Sequence, residues 1–111
     1  MAYSPFMDSI SLTTATTVYR LSTLIAAIDA NAPVRCSGIR LEFDVGSAGK
    51  VRIGNSNVSA THVGWTLVPT QEANVFALNA SPGGKILTSD IYLVGDTNAQ
   101  QINVTLLPVG T

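Results

Sequence analysis

The stretch IRLEFDVGSAGKVRI, residues 39–53, decides how this chain folds. Apolar Ile39, Leu41, Phe43 and Val45 alternate with Arg40, Glu42 and Asp44, the period-two pattern of a strand with one buried face and one wet face. Beyond the turn signal GSAG, Val51 and Ile53 alternate with Lys50 and Arg52 in the same way. Closed into a β-hairpin, the segment sets Asp44 opposite Lys50, Glu42 opposite Arg52, Phe43 opposite Val51 and Leu41 opposite Ile53. Charges and apolar partners all agree, and a one-residue slip would throw the apolar set to solvent, so the pattern predicts a well-specified hairpin.

Working outward, residues 9–17 (SISLTTATT) alternate Ile10 and Leu12 with hydroxyl side chains and predict a first strand. In YRLSTLIAAIDANAP, Leu21, Leu24, Ile25 and Ile28 recur at spacings of three and four, which predicts a short amphipathic helix at about residues 19–29, stopped by Asn31 and Pro33. Its apolar stripe packs on a sheet or on a partner. Four further strands are predicted, at 64–69, 72–78, 85–95 and 100–107, separated by polar or Pro/Gly-containing turns. Many short strands with one brief helix predict an all-β fold: a single antiparallel β-sandwich or jelly-roll-like domain over residues 9–111, preceded by an arm at 1–8.

One segment, DIYLVGDTNAQQINVTLL at 90–107, has two readings as a hairpin. A four-residue turn at 96–99 sets Leu93 against Ile102 and Ile91 against Val104, with Tyr92 and Val94 turned the other way. An odd-length turn brings Val94 opposite Ile102 and Tyr92 opposite Val104 instead. Either way the run from Ile91 to Val94 needs cover on both faces, from the helix, a second sheet or another subunit.

At 111 residues the chain is one domain, with 46% hydrophobic and only 12% charged residues against a usual charged share of about 25%. A dispersed monomer normally covers itself with charge, so this composition suits a protein that lives in an assembly. A net charge of −1 gives no electrostatic footprint for nucleic acid. The amino terminus lacks a secretion signal and LIAAI at 24–28 is too short to span a bilayer, so a soluble product of the cytoplasm is expected, with no membrane partner. Cys36 is the sole cysteine and reads as a small buried hydrophobe.

Fragments that imitate catalytic or ligand motifs each lack an essential residue. GSAGKV at 46–51 has Asp44 at the first glycine position of a phosphate loop and Val51 at its hydroxyl, and SPGGK at 81–85 has Asn79 at that first glycine. Ser56 in GNSNV sits as in a nucleophile elbow, but Val58 replaces the second glycine. His62 and Cys36, one of each type, are too few for a zinc site. Asp96, Asn98 and Gln100 are spaced like the first ligands of a calcium loop, yet Gln101 and Leu107 stand where its glycine and closing glutamate belong. The sequence therefore predicts no enzyme, no cofactor and no metal.

The strand ending in Gly54 before Asn57-Val58-Ser59, the Gly64 to Leu67 strand with Pro69 after it, and Asp90 to Val94 followed by Gln101 to Val104 together resemble a pattern in small β-sandwich virion proteins of tailed bacteriophages. The resemblance covers about half the chain; Thr70 stands where such proteins often have glycine. It implies a capsid decoration or cement protein on the outside of the head, binding the major capsid protein or other virion proteins as a dimer or trimer. The other role it implies is a head-fibre, neck or tail component. Expected contact residues are Tyr3, Pro5, Phe6 and Met7 of the arm, which reads equally as an added edge strand or a disordered tail, together with Trp65, Tyr92 and Val94. Trp65 and Tyr92 are also the aromatics a host-glycan module would use, whereas its alternation with Leu67 suits Trp65 to core or edge packing.

Overall fold

A computed structural model describes residues 6–32, 34–45, 47–59, 64–70, 74–80 and 84–108. Among these residues nine strands form, β1 Phe6–Leu12, β2 Val18–Arg20, β3 Arg35–Phe43, β4 Val51–Gly54, β5 Trp65–Leu67, β6 Val75–Asn79, β7 Ile86–Leu87, β8 Tyr92–Gly95 and β9 Gln100–Pro108, with helix α1 at Leu21–Ala26. One antiparallel sheet has the order β1-β9-β3-β6, with β7 also paired to β3; the other has the order β2-β8-β4-β5. Consecutive strands mostly alternate between the sheets, and this order is that of a jelly roll, two sheets wound from one folded ribbon. The sandwich expected from the strand spacing is the fold found.

The hairpin expected over 39–53 is not formed. β3 pairs with β9 and β6, while β4 lies in the opposite sheet against β8 and β5, so the connection from Phe43 to Val51 is an arch from one sheet to the other. Alternation cannot separate the two arrangements, because the same side chains turn inward in both. What separates them is the quality of the competing partner. Against β9, three apolar pairs fall in register, Ile39 with Leu106, Leu41 with Val104 and Phe43 with Ile102. The hairpin offered two. The charges also find other partners: Glu42 pairs with Arg40 at 3.5 Å, and Asp44 accepts a hydrogen bond from Asn103 Nδ2 at 2.6 Å.

The 90–107 hairpin is likewise an arch, and neither of its two registers occurs. β8 lies in one sheet and β9 in the other, so Leu93 and Ile102 both enter the core from opposite sides. The predicted strand over 85–95 is broken by one 3-10 turn at Thr88–Asp90.

The core is built from both inner faces: Phe6, Ile10 and Leu12 of β1, Ile39, Leu41 and Phe43 of β3, Val51 and Ile53 of β4, Leu93 of β8, and Ile102, Val104 and Leu106 of β9. Helix α1 is shorter than predicted, and Val18–Arg20 before it forms β2 against β8. Its Leu21 and Ile25 are buried and Leu24 packs against them, whereas Ile28 of the same stripe is exposed. The stripe therefore packs within the sandwich. Leu21 N–H donates to Ile91 O at 2.8 Å, which places the helix at the end opposite residues 96–99. Cys36 is buried as expected, and burial pushes its thiol up to about 11. Among the described residues no helix is long and apolar enough to cross a membrane.

Candidate interaction surface

The expected contact residues separate into three groups. Phe6 is only 7% exposed, because β1 begins there and pairs with Leu106 of β9; its ring belongs to the core. Val94 is 1% exposed, although it faces away from the core, in register between Val18 of β2 and Arg52 of β4. The run from Ile91 to Val94 is therefore covered on both faces within the chain, and neither Phe6 nor Val94 offers a surface for a partner. Tyr3 and Pro5 lie outside the described residues, as does His62.

Met7 and Trp65 do offer surface, at 67% and 61% exposure. Met7 points outward from β1, an edge strand whose Met7, Ser9 and Ser11 share the outer face. Asp8, at an inward position of the same strand, is exposed and its carboxylate accepts the Ser9 N–H at 2.8 Å. An inward charge on an edge strand discourages indiscriminate strand pairing.

Trp65 lies on the edge strand β5, opposite the core residue Ile53. Its ring reaches past the end of the core toward the other sheet, where Phe76 on edge strand β6 lies with ring centroids 6.1 Å apart and planes tilted by 60°. This is the tilted contact that aromatic pairs favour, and it holds the indole in place while leaving most of it in solvent.

Tyr92 does not join Trp65. It pairs in register with Gly54 and faces outward, whereas Trp65 follows the inward side of the same sheet with β4 between them. The Tyr92 hydroxyl accepts hydrogen bonds from Arg20 Nε at 2.9 Å and from Arg20 Nη2. The two aromatics therefore do not make one sugar-stacking platform.

Among the described residues, a cleft of about 280 Å³ is lined by Asp44, Ser47, Ala48 and residues 97–101. It lies where the β3–β4 and β8–β9 arches stack. Asp96 Oδ1 accepts from Lys50 N–H at 2.8 Å and Thr97 Oγ1 at 3.0 Å, and Asp96 N–H donates to Lys50 O at 3.1 Å. Gln100, only 5% exposed, donates from Nε2 to Ala48 O at 2.9 Å and Lys50 O at 3.2 Å. Asn98 Oδ1 accepts from Ala15 N–H at 2.7 Å, tying in the β1–β2 connection as well. The three side chains with calcium-loop spacing thus spend their polar atoms on backbone ties.

Burial pushes the Asp96 carboxyl up, but hydrogen bonds from Lys50, Thr97 and Gln100 together outweigh it and hold the group below its ordinary value. Gly49, at φ 79°, makes the stacking possible: a Cβ there would run into Asp96 Oδ1, Thr97 Oγ1 and Gln100 Nε2. Sequence reasoning missed this cluster, because a buried glutamine looks like any polar residue after a turn. Its only signal is position, since Gln100 falls on the inward set that continues through Ile102, Val104 and Leu106.

Comparison with protein-family models, with curated proteins and with solved structures finds no match to this chain.

Proposed function

We propose that this protein is a non-catalytic structural component of a bacteriophage virion, a decoration protein that binds the outside of the assembled head and stabilises it. The observation that carries this reading is the exposure of Trp65 and Met7 on a domain with so few charges. Large exposed apolar groups on a sparsely charged surface suit a protein held against other proteins. The jelly roll is also an architecture common among viral shell proteins, which agrees with the resemblance in the strand and turn residues, although fold alone assigns no role. The partner would be the major capsid protein or another virion protein.

Such a protein acts by mass action: binding the assembled shell and not its dissociated subunits shifts the balance toward the shell. The test is to add the protein to emptied heads and image them. Regular density on the outer surface, with heads that survive higher temperature, is the expected result; heads that bind none of it overturn the reading. Variants for this assay must respect the fold. Removing residues 1–7 would take Phe6 from the core, so Met7→Glu and Trp65→Ala are the informative changes.

The exposure of Trp65 also favours a second reading, a head-fibre, neck or tail-associated module that recognises another virion protein or a host glycan. Saturable binding on a glycan array that is lost in Trp65→Ala would put this reading first.

A further inference from the structure

The outer face of the β1-β9-β3-β6 sheet is nearly free of charge. Its described outward residues are Met7, Ser9 and Ser11, then Gln101, Asn103, Thr105 and Leu107, then Gly38, Arg40 and Glu42, then Val75, Ala77 and Asn79. Met7 and Leu107 are both exposed, and they lie on adjacent strands on either side of Thr105. Arg40 and Glu42 sit near the middle of the face, on β3, and are joined at 3.5 Å, while the Asp44 carboxylate, just beyond the end of β3, accepts from Asn103 Nδ2 at 2.6 Å.

From this arrangement we infer that the face packs against the same face of a second copy, with a two-fold axis running across the strands and passing over Leu41. The pair of charges selects both the partner and the axis. A two-fold interface brings one patch against itself, so it must be self-complementary. With the axis across the strands, position 40 lies over position 42 of the second copy, and Arg40 of each chain meets Glu42 of the other. The two intrachain ion pairs become one alternating cluster of four. Rotating instead about an axis along β3 would place Arg40 on Arg40 and Glu42 on Glu42, which like-charge repulsion disfavours. The same operation lays Asn103, with the Asp44 carboxylate bonded to it, over Thr105 and Val75 over Ala77, so no second like-charged pair is brought together as two sheets approach at the usual spacing of about 10 Å.

This pairing goes beyond the capsid-binding role and does not depend on it, because it is read with the isolated protein. Sedimentation of the full chain across a concentration series at low salt tests it, with Arg40→Glu, Glu42→Arg and an equimolar mixture of the two. Thermal melts of each variant accompany the series to establish that it is folded. Wild-type protein is expected to form dimers. Either single variant sets four like charges together and should weaken self-association at least about tenfold. The mixture should recover dimers, since two carboxylates of one chain then meet two guanidinium groups of the other in complementary registry. A wild type that stays monomeric, forms trimers, or dimerises equally well in both folded variants overturns the inference, as does a mixture that remains monomeric.

Discussion

The arch end of the sandwich and its β5–β6 edge treat their side chains in opposite ways. At the arch end, three connections are laced by Asp96, Asn98 and Gln100, and every described buried side-chain polar atom in the molecule has a partner. At the edge, the tryptophan leans on one ring and leaves 61% of its surface in solvent. The difference teaches that polar residues clustered on loops are the framework here, and that the apolar side chain on a strand is the candidate for recognition.

Changing each region should separate stability from binding. The largest effect is expected from Gly49→Ala, which combines a φ of 79° with collision against the β8–β9 arch. It should cost roughly 3 kcal/mol, the sum of backbone strain and overpacking, read as a lower denaturant midpoint. Gln100→Leu comes next: it takes the Nε2 donor from Ala48 O and leaves Lys50 O with Asp96 N–H, and should cost about 1 kcal/mol by the same measurement. If either variant melts like the wild type, the arch end is not the framework.

Asp96→Asn is the third and sharpens the comparison by pH. A carboxyl held below its ordinary value favours the folded state while ionised. Its contribution is complete above the unfolded value near 3.8 and is lost as pH falls through the lower folded value. Wild-type stability should therefore decline with acid below about pH 4, and the asparagine variant should decline less steeply. Urea midpoints at several acidic pH values decide this; parallel declines would remove Asp96 from the account.

The smallest effect on stability should come from Trp65→Ala, within about 1 kcal/mol, since the indole is mostly solvated and gives up one tilted ring contact. Binding to heads should fall sharply in the same variant. A large stability loss with unchanged binding would reverse the contrast between edge and arch.

Much of the architecture was legible in the sequence, because alternation at 39–43, 51–53 and 101–106 reports which side chains turn inward; Val45, expected on the same buried face, lies beyond the end of β3 and is exposed. What alternation does not report is which strand lies alongside. Residues 39–53 matched themselves as a hairpin, and only the better set of apolar pairs on β9, some sixty residues further on, overrules that match. The same silence hid the fate of Phe6 and Val94. Phe6 looked like part of a loose arm until β9 gave it a partner, and Val94 looked uncovered until β2 and β4 closed around it. Alternation with Leu67 left Trp65 open between core and edge packing, and its exposure depends on where the sheet stops.

The place of β9 also governs how the molecule can be assembled in time. It is the ninth strand in chain order, yet it lies between β1 and β3 and supplies Ile102, Val104 and Leu106 to the middle of the core. Until it emerges from the ribosome, β1 has no neighbour and the apolar side of β3 lacks its main partner. Strand pairings separated by so much chain form slowly, and exposed strands left waiting invite mispairing. The nascent chain should therefore remain unfolded through most of its synthesis and then close the first sheet in one cooperative step.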